Sequence, residues 1–129
     1  MTDEFVPYEE ACAIKKLGFN EPCFFAFDKC TMRCSDLRTD EQRFRGVNYN
    51  SSQYVSQPTY SQCFKWFRKT YKLSSHVDLK ELNHLGEIYY YKIVNFADII
   101  NDSTTLIMEF KSHEEAELTC LQKLIKICS

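Results

Sequence analysis

The sequence predicts an α+β fold, a single domain in which three helices cover an antiparallel sheet of three to four strands. Apolar residues recur at helical spacing in three segments, and aromatic or β-branched residues concentrate in four others. The segments follow one another in the order α-β-α-β-β-β-α, which favours an α+β architecture over a parallel sheet. A chain of 129 residues, 44% of them hydrophobic, can bury its own core, so we expect one domain over 1–129.

End signals support the first and the third of these helices. Pro7 suits the first turn of a helix, and Gly18 can adopt the left-handed conformation that ends one. Ser112 and Glu115 form a capping box, in which each side chain can satisfy a free backbone N–H of the other residue. The predicted helices span 7–17, 59–71 and 112–128.

The predicted strands are short and rich in aromatic and branched side chains, with turn-forming residues between them. They span 23–27, 76–79, 87–96 and 104–110. Alternation in the third strand places Tyr89, Tyr91 and Ile93 on one face, and Ile88, Tyr90, Lys92 and Val94 on the other. If one face stayed uncovered, its rings could stack on nucleic-acid bases with Lys92 nearby. The alternative is that the rings fill the core on one side and shield the sheet on the other.

The segment from about 31 to 57 is predicted to be a long polar loop, because apolar residues thin out there. It carries Arg33, Arg38, Arg43 and Arg45. One interpretation is a solvated loop in which nearby acidic residues pair with these arginines. The other is an arginine cluster that binds phosphate or carboxylate groups.

The second helix separates into distinct faces at 100° per residue. One face is an aromatic stripe, which we expect to be buried. A second face is basic and directed to solvent, and Trp66 lies on the flank between them. Trp66 either covers part of the sheet or a loop, or anchors a partner. The stripe consists of Tyr60, Cys63, Phe64, Phe67 and Tyr71, and the basic face of Lys65, Arg68, Lys69 and Lys72.

The cysteines and histidines do not form a recognisable catalytic or metal motif. Cys30 and Cys34, with Cys23 upstream, are the most metal-like group, but the second close pair of ligands that a zinc site needs is missing. The sequence contains no nucleophile elbow, metalloprotease motif or phosphate-cradling glycine loop. We therefore predict no catalytic residues, no metal and no cofactor.

Charge and composition limit the compartment and the partners. A net charge of −2 provides no global attraction for nucleic acid or for an anionic membrane, so a nucleic-acid site would have to be a local patch. The first residues are acidic where a signal peptide is basic, and no apolar run has the length of a membrane span. We expect a cytoplasmic protein with seven mostly reduced cysteines and no membrane partner.

Three stretches, PYEEACAIKKLGFNEPCF, PTYSQCFKWFRKTYKL and HEEAELTCLQKLIKI, together cover roughly a third of the chain. In these stretches the chain resembles a group of small uncharacterised proteins encoded by Bacteroidetes bacteria and by their phages or other mobile elements. The resemblance implies a mobile-element origin and action in the bacterial host cytoplasm. It brings no activity, cofactor or site residue.

Three functional hypotheses follow. The first is a small non-enzymatic interaction protein that binds a host or viral macromolecule through Trp66, the 31–57 loop or both. The second is a weak nucleic-acid or nucleotide binder that uses the basic face of the second helix with the loop arginines. The third is an enzyme that depends on cysteine and histidine. A homo-oligomer is compatible with each of them.

Overall fold

The computed structural model describes residues 4–37, 46–84, 86–95, 104–105 and 109–129. They form three helices and six strands in the order α-β-β-β-α-β-β-β-α. The predicted α+β class, the three helices and the antiparallel pairing are confirmed. The strands form two three-stranded sheets. The chain divides into two compact units, an N-terminal unit up to Gln62 and a C-terminal unit from Cys63.

The N-terminal unit combines one helix with a small antiparallel sheet. Helix α1 is Tyr8–Lys16, and strands β1, β2 and β3 are Phe25–Asp28, Cys34–Ser35 and Tyr54–Gln57. Strand β1 lies between the other two, and α1 packs on β3. Thus two strands occupy part of the 31–57 segment that the sequence predicts as loop. They form because β1, an apolar strand, needs hydrogen-bonding partners on both edges.

Helix α1 ends as its sequence predicts. Pro7 directly precedes the helix, and Gly18 follows it at a φ of 99°. Residues with a side chain rarely adopt this left-handed conformation, whereas glycine does so at little cost. The turn directs Phe19 into the core, where only 2% of its surface is accessible. An edge-to-face contact between Tyr8 and Phe27, with ring centroids 5.3 Å apart, holds α1 over β1.

The C-terminal unit is a strand hairpin covered by a helix. Helix α2 is Tyr60–Thr70, and the boundary between the units falls within it, after Gln62. Strands β4, β5 and β6 are Leu73–Asn83, Gly86–Asn95 and Thr104–Thr105, and helix α3 is His113–Cys128. Strand β5 is central, and α3 packs on β4 and β5.

Helix α3 begins at Ser112, the N-cap residue of the predicted capping box. The Ser112 side chain accepts a hydrogen bond of 3.2 Å from the backbone N–H of Glu115. The buried side of the helix then faces the sheet. Its fully buried side chains are Ala116, Cys120, Leu121 and Leu124.

Strand β4 is longer than the predicted 76–79, and a bulge interrupts it. Leu79 pairs with Tyr89 and Glu81 pairs with Ile88, which leaves Lys80 as the extra residue. A bulge of this kind bends a strand and re-aims the neighbouring side chains. Lys80 is exposed as a result of this position at the edge of the hairpin.

Candidate functional site

Trp66, a proposed anchor for a partner, is buried. Only 4% of its surface is accessible. Its ring makes edge-to-face contacts with Phe67 and Tyr71, with centroids 5.0 Å and 5.5 Å away. Of the two interpretations of Trp66, its burial agrees with the covering role and not with an accessible anchor. The indole lies on the flank of the apolar stripe of α2. It belongs to the core because the aromatic rings of Phe67 and Tyr71 pack against it there.

The basic residues of α2 lie at the surface, as the sequence predicts. Lys65, Arg68 and Lys69 are exposed on the helix, and Lys72 is exposed just beyond its end. Lys72 has a φ of 60°, so it occupies the left-handed position that follows many helices. None of the four forms an ion pair with another described residue. This leaves four cations available to an anionic partner.

The region around α2 is basic along the sequence as well. The 36 residues from 42 to 77 contain no aspartate or glutamate and six lysines or arginines. A local excess of this kind is hidden in the nearly balanced net charge of the chain. Four of these six cations are Lys65, Arg68, Lys69 and Lys72, so most of the excess falls on α2 and its end.

Of the four arginines of the 31–57 segment, the structure describes one. Arg33 is exposed, directly before β2. Arg38, Arg43 and Arg45 lie outside the described residues. The prediction of an arginine cluster for phosphate or carboxylate groups therefore stays a prediction.

One face of the β4–β5 hairpin is covered by α3. Tyr91 and Ile93 are each 1% accessible on β5, and Ser75 opposite Ile93 is also buried. Tyr91 also stacks on Phe110, with centroids 5.8 Å apart. The predicted alternation of β5 is confirmed, because these odd-numbered residues form the core.

The opposite face of the hairpin, which we name the open face, consists of His76, Asp78, Tyr90 and Lys92. His76 pairs with Lys92 and Asp78 with Tyr90 in adjacent cross-strand positions. His76 and Asp78 are exposed, and Tyr90 and Lys92 are half-buried. The His76 and Tyr90 rings meet edge to face with centroids 6.0 Å apart. Tyr90 is thus held in place by its neighbour while part of its ring remains accessible.

A pocket of about 370 Å³ opens beside Tyr90, lined by Leu79, Lys80, Tyr90 and Lys92. Lys80 pairs with the Glu109 carboxylate, whereas Lys92 forms no ion pair with any described residue. The pocket therefore combines an aromatic ring, an aliphatic wall and two ammonium groups, one of them unpaired. This chemistry suits a planar ring that carries a negative charge close by.

The sequence contained a signal for His76 and Lys80 that the strand prediction left unused. Polar residues stand at every second position from His76 to Lys80, with Val77 and Leu79 between them. This alternation is typical of a strand with one solvated face. It predicts the β4 half of the open face, His76 and Asp78.

The cysteines are free thiols at all seven positions, each of which lies in the described part of the chain. Burial raises the pKa of the Cys23 and Cys120 thiols to about 12, so both stay protonated at neutral pH. No group of three or more His, Cys, Asp or Glu within the described ranges is placed to hold a metal ion. The buried cysteines are therefore packed as small hydrophobic residues, which is a common role for cysteine.

None of the helices in the described ranges has the length and apolar character that a membrane crossing requires. Comparison of the chain with protein-family models, curated proteins and solved structures finds no match.

Proposed function

We propose that this protein binds single-stranded nucleic acid through the open face of the β4–β5 hairpin, with the exposed cations of α2 contributing to the affinity. The observation that carries the proposal is Tyr90, a half-buried ring beside a pocket that also contains Lys80 and Lys92. An aromatic ring on a solvated sheet face offers a stacking platform for a base. Lysines next to that ring can reach the adjoining phosphates.

The geometry favours a single strand over a duplex. Bases in a duplex are already stacked on one another, so a tyrosine ring can stack on a base only where the strand is unpaired. Duplex recognition in the major groove requires an exposed helix or two-stranded ribbon with side chains that reach base edges. Trp66 and Phe67 of α2 are buried, and Lys65, Arg68 and Lys69 on its exposed side can contact the phosphates of a single strand.

The hypothesis of a non-enzymatic interaction protein has less support than the nucleic-acid proposal. Its two proposed surfaces were Trp66, which is buried, and the 31–57 loop, of which the structure describes residues 31–37 and 46–57. Action in the bacterial cytoplasm and an origin in a mobile element remain part of our proposal. Seven free thiols are compatible with a reducing compartment.

The role of Tyr90 can be tested by the anisotropy of a fluorescent oligothymidylate titrated with protein. Stacking on one aromatic ring contributes about 1–3 kcal/mol per base, so Tyr90→Ala should weaken binding by about 5-fold to 150-fold. Tyr90→Phe retains the ring and should bind within a few fold of the unmodified protein. Equal affinity in all three proteins would contradict the proposed stacking.

The role of the α2 cations can be tested by the salt dependence of the same titration. Each phosphate neutralised on a single strand adds about −0.7 to the slope of log affinity against log salt concentration. The double substitution Lys65→Ala and Lys69→Ala should therefore make the slope shallower by about 1.4. Lys111→Ala with Lys126→Ala is the matched control, because both lysines are exposed in the same unit and should leave the slope unchanged. Salt-independent binding would exclude the proposal.

A further inference from the structure

An ion pair crosses the β4–β5 hairpin next to Tyr90. Lys80 projects from the bulge of β4, which borders one edge of β5. Its ammonium group pairs with the carboxylate of Glu109, the residue directly before Phe110. Phe110 pairs with Tyr89 on the other edge of β5. The two partners therefore come from opposite sides of the central strand, and the link between them passes across β5.

The ion pair lies on the side of the open face and not on the side that α3 covers. Phe110 stacks on Tyr91 of the core, and side chains alternate along an extended segment, so Glu109 is directed to the opposite side. Lys80 lines the same pocket as Tyr90 of the open face. The side chains of Lys80 and Glu109 are 43% and 60% accessible. Water and dissolved ligands can therefore reach both charges.

The two lysines of the pocket flank the Tyr90 ring but differ in their partners. Lys92 lies two residues from Tyr90 along β5, and the bulge that carries Lys80 lies in the other direction, opposite residues 88–89. Lys92 forms no ion pair with another described residue, whereas Lys80 already holds the Glu109 carboxylate. A phosphate and this carboxylate repel each other at the distance of an ion pair. A phosphate that approaches Lys80 must therefore compete with Glu109.

We infer that Glu109 limits the affinity of this site, because its carboxylate competes with a nucleic-acid phosphate for Lys80 and is displaced when a single strand binds. The inference rests on the proposed function of the open face. Lys80 exchanges one anionic partner for another, and Glu109 returns to water, so the step involves no covalent change. Exposed ion pairs are weak. Glu109 therefore weakens the binding of a strand without preventing it.

Glu109→Gln tests the competition in the anisotropy titration with fluorescent oligothymidylate, because it keeps the size of the side chain and removes its charge. The strength of an exposed ion pair corresponds to a factor of about 1.5 to 5 in an equilibrium constant, so this variant should bind about 1.5-fold to 5-fold more tightly at low salt. The slope of log affinity against log salt concentration should become steeper by up to about 0.7, since Lys80 then neutralises a phosphate without losing a partner. Glu115→Gln is the matched control, because Glu115 is exposed in the same unit, and it should change the affinity less.

Lys80→Met separates this competition from a general effect of charge, because it removes the ammonium group and keeps a long side chain. It should weaken binding, and Glu109→Gln added to it should then change the affinity no more than Glu115→Gln does. An equal gain from Glu109→Gln with and without Lys80 would overturn the inference. Unchanged or weaker binding by Glu109→Gln alone would overturn it as well, and weaker binding would mean that Glu109 positions Lys80 for the phosphate.

The same titrations separate a failure of this inference from a failure of the proposed function. If Tyr90→Ala weakens binding and Glu109→Gln does not strengthen it, the open face binds nucleic acid and the competition alone is refuted. If neither the unmodified protein nor Glu109→Gln binds the oligothymidylate at low salt, the proposed function is refuted and the inference with it.

Discussion

Replacement of Trp66 by alanine separates a structural role from a binding role for this residue. The side chain is 4% accessible and contacts the rings of Phe67 and Tyr71. A buried tryptophan removes about 150–250 Å² from water, which at about 25 cal/mol per Å² corresponds to about 4–6 kcal/mol as an upper estimate. Large-to-small changes at buried aromatic residues typically cost about 3–5 kcal/mol. We therefore expect Trp66→Ala to lower the free energy of unfolding by about 3–5 kcal/mol, a large part of the ~5–15 kcal/mol of a typical domain.

The assay is urea unfolding followed by far-ultraviolet circular dichroism, since the substitution removes the single tryptophan of the chain. Trp66→Phe retains an aromatic ring and should lose clearly less stability than Trp66→Ala. Lys65→Ala is the matched control, because Lys65 is exposed on the same helix and should change the stability by no more than about 0.5 kcal/mol. An unfolding free energy for Trp66→Ala within that same margin would refute the assignment of the indole to the core.

Two further predictions concern stability. Because burial raises the pKa of the Cys23 and Cys120 thiols to about 12, against about 8.5 for an unfolded cysteine, the folded protein binds more protons than the unfolded chain between these values. The unfolding free energy should thus be highest below about pH 8.5 and should fall above it by up to about 1.4 kcal/mol per pH unit for each thiol. Urea midpoints measured as a function of pH should fall less steeply in Cys120→Ala than in the unmodified protein. A fall of equal slope in both proteins would contradict the assignment. Ser112→Ala removes the cap of α3 and should cost about 1 kcal/mol in the same assay, whereas Ser61→Ala, at an exposed position of α2, should cost clearly less.

Local chemistry was sufficient to predict the helices. The end of α1 at Gly18 and the start of α3 at Ser112 depend on residues within one helical turn, so their interactions are readable from adjacent positions. The alternation of β5 was predictable for the same reason, because the faces of a strand follow from the pleat. Strand β3 was missed because it is short, lies in a largely polar segment and forms by pairing with β1, at a distance of about thirty residues in sequence.

The candidate site was predictable only in part. The basic face of α2 followed from helical spacing, and the structure leaves those side chains exposed. Trp66 was ambiguous, because helical periodicity places a residue on a flank but does not show what covers that flank. For the open face, alternation predicted that Tyr90 and Lys92 share one side of β5. Which side α3 covers was decided by packing.

The sequence by itself determined the fold class, the three helices, the faces of β5 and the basic character of α2, since each depends on spacing, capping or composition within a short segment. The tertiary structure decided the burial of Trp66 and the partial exposure of Tyr90. These features depend on contacts between segments that are distant in the chain. Such contacts form where the packing and hydrogen bonds of the whole unit offset the chain entropy lost, and no local pattern records that balance.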